Sequence, residues 1–296
     1  MPRLGQNQYG KAETRVVRVV REGAVHRLRD LNVSVALSGD MDEVHLSGSN
    51  TRVLPTDTVK NTVYAFARTH GIESAEEFGT LLARHFVDSR PAVHRARVRI
   101  EEYAWDRIGD RDTGASDGTG GHSFVRGGRE TRTAEVTYDG GRPRVISGLK
   151  DLVVLNSTDS EFRGFDRDPY TTLQETGDRV LATEVTARWR FGGASAPDWE
   201  AAYGQVRGHL LTAFADTYSR SLQQTLYAMG ARVVEWVPGV EEIRLSLPNK
   251  HHFLVDLTPF GLTNDNEVYL AADRPYGLIE GTVLRDGAEA AIAVTD

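Results

Sequence analysis

The sequence predicts an α+β fold made of two successive units with the same layout. Three observations predict it. Extended stretches with valine-rich or alternating patterns come in pairs, capped helical runs come in pairs between them, and the order strand, strand, helix, helix, strand, strand occurs twice along 296 residues. At roughly 150 residues per domain the length suits two such units. The Asp139-Gly140-Gly141 turn is the expected boundary, giving units 1–139 and 140–296.

The first strand is predicted over Glu13 to Val20, which carries four valines without helical spacing. In the next stretch Leu31, Val33, Val35 and Leu37 alternate with polar or small residues, the period of a half-buried antiparallel strand. After Leu54 the pattern changes. Thr56 or Asp57 can cap a helix, Val59, Val63 and Phe66 fall on one face of it, and Gly71 stops the run. A second helix opens at Ser74 with Glu77 three residues on, a capping-box pattern, and continues through Phe78, Leu82 and Phe86. Val93 to Trp105 and Arg129 to Tyr138 are extended and close this half. The polar, Gly-rich stretch Asp110–Gly121 between them is expected to be a mobile hairpin loop.

The second half repeats the order. Arg144 to Leu155 and Arg179 to Phe191 are extended. A helix from Asp198 to about Tyr218 presents Val206, Leu210, Phe214 and Tyr218 on one face, and a further helix from Ser221 to Met229 is expected to end at Gly230. Glu242 to Leu247 and Phe253 to Leu257 return to strand, followed by a tail punctuated by Pro and Gly. Each unit thus has an antiparallel sheet with two helices on one face. Such a sheet has two open edges, so oligomerisation through edges, with barrel closure as one outcome, is expected on physical grounds.

Composition removes several function classes. The apolar fraction of 40% with 26% charged residues allows a packed core and argues against wholesale disorder. A net charge of −7 offers no electrostatic case for nucleic acid or an anionic membrane. The cysteine count is zero, which excludes disulfides, thiolate metal sites and cysteine nucleophiles. No apolar leader segment, no run of about 18 apolar residues and no SKL-type ending is visible, so a soluble cytoplasmic protein is expected. The nine histidines show no chelating spacing beside a carboxylate, and the adjacent pair His251-His252 on a strand would point to opposite faces. Phosphate-loop, dinucleotide and GxSxG patterns are absent.

Four segments remain: Tyr9-Gly10-Lys11, Leu54 to Thr58, Leu152 to Arg179, and Ser246 to His251. Taken singly, each has an ordinary explanation. Lys11 reads as a solvated charge, Thr56 and Asp57 as caps, Phe162 and Phe165 as core, Arg179 as an exposed ion-pair member, Gln223 as a solvated helix residue, Asn249 as a turn residue and His251 as a half-buried strand histidine.

Taken together, they resemble urate oxidase (uricase). The blocks that carry the resemblance are YGK before a valine-rich strand, LPTDTVKNTVYAFA from Leu54, the stretch Leu152–Arg179, SLQQTLYAMG from Ser221 and SLPNKHHF from Ser246. They stand in the family's order and span nearly the whole chain, and Phe162, Phe165, Tyr170, Leu173 and Arg179 keep its spacing. Asn156 replaces a usual Lys, which is expected to matter only structurally, and Leu222 replaces the Val of some members.

The resemblance implies tandem tunnelling-fold (T-fold) units of ββααββ layout that assemble into barrels. It implies a homotetramer with active sites at subunit interfaces, neither metal nor organic cofactor, and conversion of urate, O2 and water to 5-hydroxyisourate and hydrogen peroxide. Carried over residue by residue, Lys11, Thr56 and His251 form the catalytic relay. Thr56, Asp57, Phe162, Arg179, Leu222, Gln223 and Asn249 bind substrate, with Asn249 and Thr56 also holding O2. These residue types suit the task. An arginine fork and a glutamine amide can clamp a planar anion in its plane, a phenylalanine can stack on its face, and a lysine depressed in pKa by burial or a nearby cation can take its proton. A non-catalytic purine- or pterin-binding module would keep Arg179, Gln223 and Phe162 but lose the relay, and the relay is present. A metal-dependent pterin-type enzyme is disfavoured by the absent cysteines and scattered histidines.

Overall fold

The computed structural model describes residues 2–23, 25–108, 121–193 and 195–293. The chain divides into two compact units, Met1–Gly148 and Leu149–Asp296. All but the last residue of the Asp110–Gly121 loop lies outside the described residues.

In the first unit, β1 (Tyr9–Glu22), β2 (Val25–Gly39), β3 (Val93–Arg107) and β4 (Phe124–Tyr138) pair antiparallel in chain order. Helices α1 (Asp42–Leu46), α2 (Thr56–Thr69) and α3 (Ala75–Asp88) lie between β2 and β3. The alternation read on β2 is the core-facing row. Leu31, Val33, Val35 and Leu37 are buried in one cluster with Val59 and Val63 of α2 and with Phe78, Leu82 and Phe86 of α3. The Ser74 hydroxyl accepts from the Glu77 N–H at 3.1 Å, as its pattern predicts. Gly71 follows the C-cap of α2 at φ +83°, the left-handed conformation a glycine adopts freely. The capping of α2 differs from expectation. Pro55 holds the N-cap position without a side-chain cap bond, so Thr56 and Asp57 are the first two helical residues and not caps. The five-residue α1 buries nothing, so it leaves no periodicity to read.

A buried ion network ties α3 to its sheet. Glu76, 1% exposed, accepts from Arg132 of β4 at 2.8 Å and from the Ser147 hydroxyl at 2.7 Å. Burial pushes the Glu76 carboxyl above its usual range, while Arg132 and Ser147 pull it back toward ionisation. Removing one partner of such a pair typically costs about 3–5 kcal/mol, because the other charge stays buried.

β5 (Arg144–Asn156) follows β4 in the first unit and runs across the boundary into the second. There it is followed by β6 (Leu181–Phe191), α4 (Trp199–Asp216), α5 (Leu222–Trp236), β7 (Val240–Leu254) and β8 (Tyr269–Leu284). β6 pairs with β7, and β7 with β8, all antiparallel. The core gathers Trp189 of β6, Val206 and Leu210 of α4, Met229 and Val233 of α5, and Leu245 and Leu247 of β7. Asn156 donates to the Phe214 carbonyl in the last turn of α4 at 2.9 Å, a structural task. Among the described residues no helix is long and apolar enough to cross a membrane.

Four expectations are corrected here. α5 does not stop at Gly230 but continues to Trp236, because this glycine serves packing: a Cβ there would lie 2.6 Å from Val283 Cγ2. The tail contains the long strand β8, whose Gly277 and Gly281 pair with Asn249 and Leu245 of β7 while Pro275 lies where the register shifts. β7 is one continuous strand ending at Leu254, where separate strands were expected at Glu242 to Leu247 and Phe253 to Leu257. Tyr218 lies beyond the end of α4, 46% exposed, and its hydroxyl donates to Glu161 at 3.0 Å.

The close approach of α5 to β8 makes a specific prediction. Gly230→Ala should lower unfolding free energy by about 1–3 kcal/mol through overpacking, against a β-branched neighbour that cannot swing aside. In a Val283→Ala background the same change should cost measurably less. Urea unfolding of the four chains of this double-mutant cycle checks it.

Candidate active site

The predicted residues fall into two sets, each assembled within one unit. In the first unit, Lys11 pairs with Val35, but the register then shifts, so that Thr14 pairs with Val33. β1 therefore carries one extra residue at Ala12–Glu13, with Glu13 at φ +55°. This bulge decides where Lys11 points. Side chains of directly paired residues lie on the same side of a sheet, and Val33 and Val35 both face the helices. Without the extra residue the period of two would turn Lys11 to the opposite face from Thr14. With it, Tyr9 and Lys11 rejoin the helix side, and the Tyr9 hydroxyl accepts from the Leu54 N–H at 2.8 Å just before α2.

The start of α2 brings Thr56 and Asp57 to that end of the sheet. The Asp57 carboxylate bonds Lys60 Nζ at 2.5 Å and Asn61 Nδ2 at 2.8 Å. Those two partners, and after them the charge of Lys11, hold its pKa below the usual carboxylate value. Lys11 and the first turn of α2 are thus electrostatic neighbours. With no side-chain cap, the Thr56 and Asp57 N–H groups have no acceptor among the described residues.

The second set has three sources. The segment 157–180 carries Phe162 and Arg179, and is held by two short bridges, Ser160 to Ser219 and Phe162 to Thr176. The Arg179 guanidinium carbon lies 5.2 Å from the Phe162 ring centroid, and Phe165 stacks on Phe162 at 5.0 Å. α5 supplies Leu222 and Gln223 in its first turn. Ser221 caps it by accepting from the Gln224 N–H at 3.2 Å, and Gln224 Oε1 accepts from the Arg220 N–H at 2.8 Å. The Leu222 and Gln223 N–H groups are left without acceptors among the described residues.

β7 supplies Asn249 and His251. They continue the row of Ile243, Leu245 and Leu247, the buried face, beyond the cover of the helices. The level of α5 follows from its contacts with β8. A Cβ at Gly230 would meet Val283, and one at Gly281 would meet Leu226. Four helical residues rise about 6 Å and two strand residues about 6.6 Å, so the next turn back sets Leu222 level with Ile279 and its pair Leu247. One step further along β7 stands Asn249, paired with Thr183 and Gly277. Just past it the β7–β8 register breaks before His251, which opens the ladder beside both side chains.

The electrostatics are those of an anion site. Arg179 is half-buried, and burial alone lowers its pKa from the ordinary arginine value. Among the described residues it has no carboxylate partner, only the Ser160 hydroxyl at 3.2 Å and the Phe162 ring. With Nε engaged by Ser160, the Nη1/Nη2 fork is left for a ligand. A flat anion bonded edge-on to that fork would share the guanidinium's layer over Phe162. Burial, then the charge of Arg179, then His252 lower the His251 pKa, so its neutral form prevails near pH 7 and can accept a proton.

The structure thus brings Lys11 and Asp57 together in the first unit, and Arg179, Phe162 and His251 in the second. Gln223 is an exposed residue of α5, as its single-residue reading suggested. Arg179 precedes β6, so it is a loop residue and not the start of a strand. Among the described residues no group of three or more His, Asp or Glu is placed to hold a metal ion. Sequence reading missed Ser160, a serine among polar neighbours that carried no signal of its own.

An unneutralised guanidinium beside an aromatic ring, with free backbone N–H groups and a histidine held below its ordinary pKa, is a set of groups able to take a flat anion. Comparisons with known proteins give the family. The sequence profile of the Uricase family matches residues 7–137 and 145–280. A uricase from Arthrobacter globiformis is 52% identical over 287 residues, covering 97% of this chain and 91% of that protein. One from Dictyostelium discoideum is 41% identical over 288 residues, covering 96% and 98%. The crystal structure of the Arthrobacter globiformis uricase superposes with a TM-score of 0.92 at 51% identity, covering 99% of this chain and 98% of that one. The chain belongs to the uricase family.

The charge of Arg179 bears directly on His251. Arg179→Gln should raise the His251 pKa, since a positive neighbour is removed, yet leave it below the ordinary histidine value because burial remains the larger cause. A histidine NMR titration of both proteins checks it.

Proposed function

We propose that this chain is a cofactor-independent urate oxidase, converting urate, O2 and water to 5-hydroxyisourate and hydrogen peroxide. The observation that carries the reading is the half-buried Arg179 with its free fork over Phe162 and beside a neutral-leaning His251, in a chain of the uricase family.

Urate is a planar anion near neutral pH. In this reading Arg179 takes an acyl oxygen and a ring nitrogen through two parallel charge-assisted bonds, and Gln223 holds the opposite edge. Phe162 stacks on the face of the ring. The free N–H groups of Leu222 and Asp57 donate to the remaining heteroatoms. Two electrons leave urate for O2, and the flow is easier once urate has lost a further proton. Thr56 contacts the substrate, Lys11 draws the proton, and His251, as a neutral base, recharges Lys11. Asn249 and Thr56 hold O2, then water or peroxide, above the ring. Water supplies the added oxygen, and the electrons and protons leave as hydrogen peroxide.

The reading includes a homotetramer of tandem T-fold units, 1–139 and 140–296, closing edge to edge into barrels, with Lys11 and Thr56 of one subunit facing the partner subunit's Arg179, Gln223 and Phe162. Three features support it. β1 and β8 each have one neighbour and one open edge. Large apolar side chains are exposed in the second unit, including Phe253, Leu254, Leu270 and Leu278. Tyr170 of the 157–180 segment is 88% exposed. A cytoplasmic location belongs to the same reading, and the zero cysteine count is compatible with it.

The purified chain should bleach urate's ultraviolet band with matching O2 uptake, before and after treatment with a chelator. Arg179→Ala should raise the urate KM by about a hundredfold, the loss of two charge-assisted bonds, with kcat changed far less. An unchanged KM with only kcat reduced would remove Arg179 from substrate capture.

The shared-site arrangement has its own test. Lys11→Met and Arg179→Ala chains are unfolded together, reassembled at equal ratio and assayed at urate far below the raised KM of Arg179→Ala, where each parent alone turns over little. In a mixed isologous dimer one site carries both lesions and the other neither, so about a quarter of all sites should be intact. Reassembled mixtures verified to contain hybrids, yet no more active than the two parents, would overturn a site shared between subunits.

A further inference from the structure

The urate clamp rests on Arg179 and Gln223, which belong to separate parts of the second unit: a long loop and the first turn of α5. A run of side-chain and main-chain hydrogen bonds through Ser160, Ser219 and Thr225 joins them. Arg179 Nε donates to Ser160 Oγ at 3.2 Å. The strip around Ser160 pairs with Ser219 through main-chain bonds: Glu161 N–H to the Ser219 carbonyl and Ser219 N–H to the Asp159 carbonyl, both 2.8 Å. Ser219 Oγ accepts from Thr225 Oγ1 at 2.8 Å and donates to the Ser221 carbonyl at 3.2 Å. Ser221 is the N-cap of α5, two residues before Gln223.

Ser160, Ser219 and Thr225 are fully buried. Asp159, next to Ser160, holds φ at +58°, a strained conformation for a non-glycine residue. A segment without regular structure is thus held at one point by two main-chain bonds, and the side chain it offers there accepts from Arg179. The guanidinium could otherwise turn about its last torsions and present any of its edges. With Nε engaged, the Nη fork is the edge left to the ligand.

We infer that Ser160 is the positioning residue of the clamp: its hydroxyl fixes the rotation of the Arg179 guanidinium, and the Ser219–Thr225 link sets that guanidinium at a constant distance from Gln223. The inference rests on the reading of Arg179 as the urate-capturing group. Ser160 does not touch the substrate. The cost of losing it is carried through Arg179 alone.

The test measures urate binding without O2, so that no turnover occurs, in the full chain and in Ser160→Ala, Arg179→Ala and the double variant. Ser160→Ala should keep the fold, because the bridge to Ser219 is main chain, and should weaken urate binding about tenfold, the scale of one hydrogen bond to a charged group. Under O2, its KM should rise by a similar factor with kcat within about twofold. In the Arg179→Ala background, removing the Ser160 hydroxyl should change binding less than twofold, because the group it acts through is gone. An equal loss in both backgrounds, or no loss in the first, overturns the inference while leaving Arg179 as the clamp. Undiminished binding by Arg179→Ala itself overturns the reading beneath it. Ser160→Cys, which keeps the volume but is a weak acceptor, carries the same test should the alanine variant not fold.

Discussion

A strand is more than twice as long as a helix of equal residue count, and the candidate site depends on that mismatch. β7 has 15 residues and spans about 50 Å, whereas α5, also with 15, spans about 22 Å. The helices therefore cover only part of each sheet, and the row of residues that forms the core continues past their ends. On β7 the row Ile243, Leu245, Leu247 becomes Asn249 and His251 with no change of face. On β1 the row ending in Val16 and Thr14 resumes at Lys11. Where the helices end, apolar side chains give way to chemistry, and the helix N-termini bring Thr56, Asp57, Leu222 and Gln223 to the same level as that overhang.

The overhang also explains the charge state of the site. Elsewhere the chain neutralises its buried charges. Glu76 lies between Arg132 and Ser147, and the buried Glu242 accepts from Arg190 and from two main-chain N–H groups near the C-terminus. Arg179 is the contrast. It is half-buried, carries one neutral hydroxyl and one aromatic ring as partners, and receives no carboxylate among the described residues. An unpaired cation removed from water is costly, and after burial its charge is the second cause that lowers the His251 pKa.

Most of the fold was legible in local pattern. The period of two on β2, the Ser74–Glu77 cap, the Gly71 stop and the buried stripe Val206, Leu210 and Phe214 all express rules that operate within a few residues. Sequence by itself also determined the family, because five short blocks stand in a fixed order along the chain. Three things were decided only by the tertiary structure. The aim of Lys11 depends on a one-residue bulge against β2 that leaves no mark in the composition of β1. Gly230 reads as a helix stop, yet it is the place where β8 comes within 2.6 Å of a would-be Cβ. Ser160 gains its role from a partner nineteen residues away. Periodicity and capping are properties of the local backbone, so sequence carries them openly. Register, close approach and hydrogen-bond partnership between distant segments are properties of the packed chain, and exist only once it has folded.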